Sequence, residues 1–593
     1  MNRFTAMVVF GILIAAQGWA SGDDGSKAKA QGIAGDWEAT LHATPQISLR
    51  ITLKIDRAKD GALSGIWGSP EEGLEGLPLA AITFRAGALE FATKHGANFK
   101  GRLNDAGTDL DGEWVQRGRK YPLKFRRFDP AKVPARPPIP KELEGVWEGT
   151  LKIQKIISLR LVLKVEKGKD GRLMASLASP DQGAARIPLT AIGLKDGELT
   201  FESKVVGAKY AGKRNKDGTG FDGEFQQGGL KIPLVLKKTD KVVELSRPQT
   251  PRPPFPYRSE SVVYDNIPGG VKLAGTLTMP NGSGPFPAVL LITGSGAQDR
   301  DETIFSHKPF LVIADHLTRR GIAVLRVDDR GVGGSTEKGP GETLDDHVGD
   351  VLAGVAFLKG RREIDAARIG LAGHSEGGII APLAAVRSSD VAFIVLMAGT
   401  GLPGVDILKA QARLISRAAG ASDAELERSA KIQQRLLDIL IEEKDVEKAR
   451  ARIAKAAKEI MAGMTEAEKK DLRESGGDLA ALAEPFNSAW FRSFVTYDPR
   501  PTLKRVRCPV LAINGAKDLQ VPAKENLDEI RKALETGGNR QVRIIEFPAV
   551  NHLFQPCRTG SPGEYATIET TIAPEVLKAL ADWIGETTTK RPQ

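Results

Sequence analysis

Cysteine is the scarcest residue of this 593-residue chain, which carries only Cys508 and Cys557. Two cysteines cannot build a disulfide framework, so hydrophobic burial must hold the fold. The pair leaves two states open, one disulfide or two free buried thiols. Free thiols fit better, because Cys508 precedes a predicted strand and Cys557 follows a loop at the other end of the sheet.

Long apolar runs are missing beyond the first twenty residues, and no stretch of basic charge is grouped with aromatic residues. The net charge is +10, but Lys and Arg are scattered among Asp and Glu, which does not support nucleic-acid binding. The start of the chain combines a positive segment, an apolar run at 4–16 and small residues at 18–20. This pattern predicts a cleaved signal peptide, residues 1–20, and export to the periplasm or the medium. An uncleaved anchor fits less well, because the run is shorter than the ~20 residues that cross a bilayer. We therefore expect no membrane span after cleavage.

Histidine is also scarce, and this limits the available chemistry. The seven histidines are His42, His95, His307, His316, His347, His374 and His552. No two of them have the spacing of a metal-binding pair, so we expect neither a metal ion nor another cofactor.

Two proline-rich stretches, residues 129–140 and 247–257, predict extended linkers. The segments before and after the first linker repeat each other, which indicates a duplicated domain. The matching positions are Trp37 and Trp147, Ile47 and Ile157, Asp60 and Asp170, Ser69 and Ser179, and Asp111 and Asp222.

Each repeat, 31–128 and 141–240, alternates apolar and polar residues between Gly and Asp turn signals. About eight short strands in each predict a small all-β barrel or sandwich. The repeats are candidates for binding a lipid, a glycan or an envelope component, and packing or spacer modules are an equally good interpretation. Trp37 and Trp147 are interpreted as core residues that close the barrel rather than as ligand platforms.

From residue 258 to 590 strands alternate with helices, which is typical of a βαβ sheet. Strands are predicted at 273–278, 288–293, 323–327, 368–372, 393–397, 510–514 and 543–547, and helices at 310–320, 344–359 and 378–386. A helical insert at about 401–495 interrupts this alternation of strands and helices. Its position predicts a cap over the active site. The complete prediction is a multidomain protein with two all-β, barrel-like repeats before an α/β domain.

The strand at 367–372 runs into Gly373-His-Ser-Glu-Gly377, and a helix of small residues follows. A serine on such a sharp turn has a strained φ, and glycines two residues away on either side relieve the crowding. Ser375 is therefore a candidate nucleophile that needs a base and an acid. His552 is the base by elimination, because it alone among the histidines lies downstream of Ser375.

The acid is chosen from three carboxylates that follow the strand at 510–514. Asp518 is preferred because it stands directly at the carboxyl end of that strand, where the catalytic groups of such sheets collect. Glu525 and Asp528 are expected on the next helix.

The stretches that carry a family resemblance are residues 290–301, 328–335, 373–378, 490–499, 514–522 and 551–555. Through them, the chain resembles bacterial carboxylesterases of the α/β-hydrolase superfamily, in the group related to the prolyl-oligopeptidase and dienelactone-hydrolase branches. The resemblance covers about 260–590 and leaves out the repeats. It implies the Ser375, Asp518 and His552 triad, acyl transfer to water, and small-molecule ester substrates.

The resemblance also implies an oxyanion hole made of the Glu376 N–H and a second N–H from Ser295 or Gly296. The side chains of His374 and Glu376 are expected to be exposed and need not be catalytic. The loop 328–335 is interpreted as a glycine turn that ties down the sheet rather than as a substrate contact. Three aromatic residues are candidates for an acyl pocket, with core packing as an equal alternative: Trp490, Phe491 and Phe494.

Three functions remain open, and a carboxylesterase leads. A serine peptidase of the acylaminoacyl or prolyl type would use the same triad, although those enzymes usually carry a β-propeller whose repeat this sequence does not have. The third is a binding protein in which the β repeats have the main role.

Overall fold

The structure is a computed structural model of the chain. It describes residues 32–44, 47–70, 74–94, 97–116, 119–129, 137–153, 157–168, 171, 173–181, 183–227, 230–240, 246–336, 342–466, 469 and 484–589. The predicted signal peptide and most of the first linker lie outside these residues. The chain divides into two compact units, a β unit that contains both repeats apart from residues 152–158 and an α/β unit that contains the described residues from Ser246 onward.

The first repeat is a closed barrel of eight antiparallel strands. They are β1 (Gly35–Thr44), β2 (Ile47–Arg57), β3 (Leu63–Ser69), β4 (Leu74–Arg85), β5 (Ala88–Thr93), β6 (Ala97–Leu103), β7 (Asp109–Gln116) and β8 (Arg119–Arg127). Burial alternates along the strands, as in β6, because successive side chains point to opposite faces. Aromatic side chains fill the interior and make it a packed core: Trp37, Phe91, Phe99, Trp114 and Phe125.

The second repeat has nine strands where about eight were expected. They are β9 (Gly145–Ile153), β10 (Ile157–Lys167), β11 (Leu173–Ser179), β12 (Gly183–Pro188), β13 (Ala191–Lys195), β14 (Glu198–Ser203), β15 (Ala208–Arg214), β16 (Gly220–Gln227) and β17 (Leu230–Thr239). The segment that matches β4 is broken into β12 and β13 after Pro188, although β4 itself runs without a break through the matching Pro78. These two strands stand at opposite ends of the sheet order, and only Leu189 and Thr190 connect them.

The matching tryptophans of the two repeats are core residues, which confirms their interpretation. Trp37 is fully buried and its indole N–H donates to Ile33 O at 3.0 Å. Trp147 is 2% exposed and donates in the same way to Leu143 O at 2.9 Å. Each indole thus satisfies its one donor within four residues, while its ring packs into the core.

Both repeats also contain a cross-strand pair of glycines under an aromatic ring. Gly101 pairs with Gly112 beside Phe99, and in the second repeat Gly212 pairs with Gly223 beside Tyr210. A Cβ on Gly112 would lie 2.4 Å from the Lys100 carbonyl oxygen and 2.7 Å from the Phe99 ring. Only glycine leaves room for the ring over the ladder.

The α/β unit contains an eight-stranded sheet in the order β18-β19-β21-β20-β22-β23-β24-β25. The strands are β18 (Arg258–Asn266), β19 (Val271–Met279), β20 (Phe286–Ile292), β21 (Ala323–Val327), β22 (Ile364–His374), β23 (Phe393–Met397), β24 (Val510–Gly515) and β25 (Val542–Phe547). β19 pairs antiparallel with β18 and β21, and the remaining pairs are parallel. The sequence predicted seven of these strands and missed the edge strand β18, whose apolar residues are few.

Helices cover both faces of the sheet. They are α1 (Pro309–Thr318), α2 (Leu344–Lys359), α3 (Gly377–Ala385), α4 (Gly404–Ala418), α5 (Asp423–Glu442), α6 (Val446–Ala462), α7 (Ala489–Val495), α8 (Arg500–Leu503), α9 (Ala523–Thr536) and α10 (Pro574–Thr589). Short 3-10 turns lie at Lys141–Leu143, Glu484–Asn487 and Pro562–Glu564. Helices α2, α3 and α9 share a core with one face of the sheet, and α1 and α10 with the other. Helices α4–α7 form the insert between β23 and β24 that was predicted as a cap.

The described helices include none that is long and apolar enough to cross a membrane.

The second proline-rich stretch begins with residues that are bonded to the α/β unit. The Arg247 guanidinium donates to the carbonyl oxygens of Phe305, Ala566 and Ile568. Gln249 accepts from the N–H groups of Thr571 and Ile572. The start of this linker is therefore part of the α/β unit rather than a free spacer.

The glycine pairs of the β unit yield a stability prediction. We expect Gly223→Ala to lower the free energy of unfolding of the β unit by about 1–3 kcal/mol, because its Cβ would lie 2.3 Å from Ala211 O. Gly193→Ala, in strand β13 with only Thr200 Oγ1 at 3.9 Å, is the matched control and should be near neutral. Hydrogen exchange of β14–β17 in the full chain measures both. Equal protection in the two variants would contradict the packing account.

Candidate active site

The turn between β22 and α3 holds Ser375 in a strained conformation. Its φ is +53°, in the left-handed region that non-glycine residues rarely adopt. Its N–H donates to Met397 O at 2.8 Å, which fixes the turn against β23. A Cβ on Gly373 would lie 1.9 Å from Gly377 O, and one on Gly377 would lie 2.3 Å from Ile292 O. The crowding inferred from the sequence is therefore present on both sides of the serine.

Ser375 is also the accessible residue of this segment. From residue 369 to 384 every residue is buried except Ser375, which is partly exposed. The turn follows β22 at the carboxyl edge of the parallel strands, where α/β sheets bind ligands. The hydroxyl group therefore stands on the edge of the sheet where a substrate can reach it.

Asp518 and His552 form a buried hydrogen-bonded pair. His552 Nδ1 donates to Asp518 Oδ2 at 2.7 Å, and the two residues are 4% and 3% exposed. The other carboxylate oxygen, Oδ1, accepts the N–H groups of Gln520 and Val521 at 2.7 and 2.9 Å. Because Nδ1 is engaged by the carboxylate, Nε2 is the nitrogen that can act as a base.

The alternative acids lie where the sequence predicted them. Glu525 and Asp528 are on α9, and the Asp528 carboxylate accepts from Lys524 Nζ at 2.9 Å. Of the three carboxylates, Asp518 is thus the one that contacts His552.

His374 connects the serine turn to the histidine loop. Its Nε2 lies 3.0 Å from the backbone oxygen of His552, and the two imidazole rings are 4.9 Å apart. Its Nδ1 lies 2.8 Å from Glu302 Oε1. The expectation that the side chains of His374 and Glu376 are exposed was wrong, since the residues are 6% and 3% exposed. Both point into the packed layer under the turn, which a motif read without its tertiary neighbours does not reveal.

The loop after β20 contains the predicted oxyanion donors Ser295 and Gly296. The preceding N–H, of Gly294, is already bonded to Glu302 Oε1 at 2.7 Å. This leaves the N–H groups of Ser295 and Gly296, at exposed and partly exposed positions, as the candidates opposite the Glu376 N–H.

Two neighbouring aspartates hold this loop in place. Asp329 accepts the Thr293 hydroxyl at 2.8 Å and the Gln298 N–H at 2.9 Å. Asp328 accepts from the Arg300 N–H and guanidinium at 2.6 to 3.0 Å. These bonds agree with a structural role for the loop 328–335, because they anchor the candidate oxyanion loop.

The side chain of Glu376 lies between the cap and α2. Trp490 Nε1 donates to Glu376 Oε1 at 2.7 Å, and His347 Nδ1 lies 3.6 Å from the same oxygen. Burial alone would lower the pKa of His347, but Glu342 and Glu376 outweigh it and raise the pKa to about 10. His347 is therefore protonated at neutral pH and lies beside the buried Glu376 side chain.

The three aromatic residues proposed for an acyl pocket have different environments. Phe491 and Phe494 are buried in the core that α7 shares with the sheet. Trp490 is partly exposed and, through Glu376, adjoins the serine turn. Core packing thus accounts for the two phenylalanines, and Trp490 remains the candidate for substrate contact.

Cys508 and Cys557 are free thiols, so the disulfide alternative is not realised. Burial raises the pKa of Cys508 to about 12 and also raises that of Cys557. Both thiols are therefore protonated at neutral pH and poor nucleophiles.

Residues 258–589 form an α/β-hydrolase domain, as three features show. These are the order of the strands in the sheet, the strained serine turn after β22, and the loops after β24 and β25 that contain Asp518 and His552. Sequence comparison agrees: residues 289–567 match the alpha/beta hydrolase family. This part of the chain is therefore an α/β-hydrolase domain, and the protein is a hydrolase.

Among its relatives is the esterase EstD of Thermotoga maritima, 27% identical over 368 residues that make up 60% of this chain and 75% of EstD. The esterase FrsA of Escherichia coli is 37% identical over 71 residues, 12% of this chain and only 16% of FrsA.

Solved structures with a similar fold include the Pyrococcus furiosus esterase Pf2001, with a TM-score of 0.34 and 16% identity over 56% of this chain and 91% of that one. Est1E of Butyrivibrio proteoclasticus, bound to ferulic acid, has a TM-score of 0.32 and 18% identity over 56% of this chain and all of its own.

Sequence reasoning missed two residues of the site. Glu302 contacts both the oxyanion loop and His374, and His347 pairs with Glu376. Glu302 directly follows the stretch 290–301 that carried the family resemblance, and its φ of +52° is also strained. His347 lies in the first turn of α2 with no catalytic motif around it, so only tertiary structure reveals its partner.

Asp329 yields a pH-dependent stability prediction. Burial raises its pKa from 3.8 to about 7, so between these values the folded state holds a proton that the unfolded state has lost. This group therefore lowers the free energy of unfolding as pH rises through that window, by at most about 1.4 kcal/mol per pH unit. Asp329→Asn should remove this contribution. Urea unfolding at pH 4 to 8 measures it, and parallel pH profiles for the two proteins would refute the assignment.

Proposed function

We propose that this hydrolase is an exported serine carboxylesterase that acts on small or medium acyl esters. The observation that carries the proposal is the 2.7 Å hydrogen bond from His552 to Asp518. The backbone of His552 is also hydrogen-bonded to His374, which directly precedes the strained Ser375. An acid, a base and an accessible serine in this arrangement are the parts of an acyl-transfer site.

In the first half-reaction, Ser375 Oγ attacks the ester carbonyl carbon while His552 Nε2 takes the hydroxyl proton. The carbonyl oxygen becomes an oxyanion, which accepts from the Glu376 N–H and from Ser295 or Gly296. Collapse of this intermediate breaks the ester C–O bond, and the alcohol leaves with the proton from His552. The product is an acyl-serine.

In the second half-reaction, water attacks the acyl-serine and His552 takes its proton. The tetrahedral intermediate releases a carboxylic acid, and His552 returns the proton to Ser375. Asp518 holds His552 Nδ1 throughout and stabilises the imidazolium that forms twice.

Esters are preferred to amides on two grounds. The relatives EstD and FrsA are named esterases. In addition, the β unit consists of a closed eight-stranded barrel and a nine-stranded sheet, and not of the radial blades expected of a prolyl-type peptidase.

The β repeats are proposed to bind a lipid, a glycan or an envelope component. Because aromatic side chains fill the first barrel, we expect such a ligand on an outer surface or a rim rather than inside. Export to the periplasm or the medium rests on the pattern of residues 1–20.

Ser375→Ala tests the function with a panel of p-nitrophenyl acyl esters and prolyl and alanyl p-nitroanilides. We expect ester kcat/KM to fall by about 10⁴- to 10⁶-fold, because the nucleophile is lost and only binding and the oxyanion hole remain. Ser388→Ala, three residues beyond α3, is the matched serine control and should keep full activity. Ester turnover unchanged in Ser375→Ala would sink the serine mechanism, and dominant amide turnover would favour a peptidase.

A further inference from the structure

Glu302 and His374 form a buried, hydrogen-bonded pair that the triad mechanism does not use. Their side chains are each 7% exposed, and His374 Nδ1 lies 2.8 Å from Glu302 Oε1. The two residues are 72 positions apart in the chain. Desolvating an ion pair is costly unless hydrogen bonds satisfy both partners, so its partners indicate what it does.

The hydrogen bonds of His374 are all satisfied when each ring nitrogen carries a proton. Nε2 lies 3.0 Å from the backbone oxygen of His552, and a carbonyl oxygen can only accept. Nδ1 faces the carboxylate oxygen that also accepts the Gly294 N–H at 2.7 Å. An imidazole that donates from both nitrogens is an imidazolium.

The surrounding charges agree with this protonation state. Burial alone would lower the pKa of His374, but the charge and hydrogen bond of Glu302, the His552 carbonyl and the charge of Asp518 raise it overall. A further titratable group that faces His374 is the His552 ring, 4.9 Å away.

The pair joins three loops of the site. Glu302 fixes the Gly294 N–H, and the next peptide group carries the candidate oxyanion donor of Ser295. His374 directly precedes Ser375 and holds the backbone of His552. A Cβ on Gly294 would lie 3.4 Å from Ser375 Cβ and 3.5 Å from His374 Nδ1, which shows how closely the loops meet.

We infer that Glu302 and doubly protonated His374 are positioning residues that set the oxyanion loop and the catalytic histidine in register with Ser375. This inference rests on the proposed serine mechanism. Neither residue touches the reacting atoms. Their effect is on geometry in the transition state, where a displaced donor stabilises the oxyanion less.

Glu302→Gln tests the role of the charge, because glutamine has the same shape. We expect kcat for a p-nitrophenyl ester to fall about 10- to 100-fold with KM changed less than about threefold, since a displaced oxyanion donor acts mainly on the transition state. The alkaline fall of kcat should begin at lower pH, because neutral His374 can donate from only one nitrogen. Asp315→Asn is the control, since this α1 carboxylate bonds Tyr257 and Arg319. It should keep kcat and its pH profile.

A second measurement reports on His374 without using activity. In the full chain labelled with ¹⁵N-histidine, we expect the His374 ring to show two protonated nitrogens at pH 7.5, and a single one in Glu302→Gln. Comparison with His374→Gln assigns the signals. A neutral His374 ring in the wild type, or wild-type kcat, KM and pH profile in Glu302→Gln, would overturn the inference.

Failure of the inference and failure of the proposed function are distinguishable. If Ser375→Ala abolishes turnover while Glu302→Gln behaves as wild type, the serine mechanism stands and the positioning role falls. If Ser375→Ala retains turnover, the proposed function falls, and with it the catalytic role of the pair, whatever the protonation state of His374.

Discussion

The strained turn at Ser375 is the constraint on which the rest of the site depends. A non-glycine residue at a φ of +53° costs about 1–3 kcal/mol and persists only where neighbours enforce it. Here the enforcement comes from backbone packed so closely that Gly373 and Gly377 have no room for a Cβ. The bond from the Ser375 N–H to Met397 O ties the turn to β23. The strain presents one partly exposed hydroxyl group above a fully buried layer.

The sheet order explains why the loops around this turn meet. Strand β20 pairs in parallel with both β21 and β22, so the loops that follow the three strands emerge side by side. The loop after β20 has the candidate oxyanion donors, the loop after β21 has the aspartates that hold it, and the loop after β22 has Ser375. Glu302 and Asp329 then act between loops that are distant in sequence, which makes the site rigid before a substrate arrives.

Much of this could be predicted from the sequence, because the signals are local. The duplication, seven strands of the sheet and the choice of Asp518 over two nearby carboxylates follow from periodicity, turn residues and position at a strand end. The buried pairs Glu302–His374 and His347–Glu376 could not be predicted, because the partners come together only when particular strands and helices pack side by side. The wrong expectation for the side chains of His374 and Glu376 has the same origin. The break of one strand after Pro188 was missed, since the matching Pro78 lies inside the unbroken strand β4 and proline therefore does not distinguish the two repeats.

Active-site labelling detects whether Ser375 is the nucleophile of a covalent mechanism. The full chain is treated with a p-nitrophenyl alkylphosphonate, digested and analysed by mass spectrometry, with a competing ester in a parallel sample. We expect one adduct per chain, on the peptide that contains Ser375, with loss of turnover in proportion and protection by the ester. An adduct on another residue, or full turnover after complete labelling of Ser375, would contradict it.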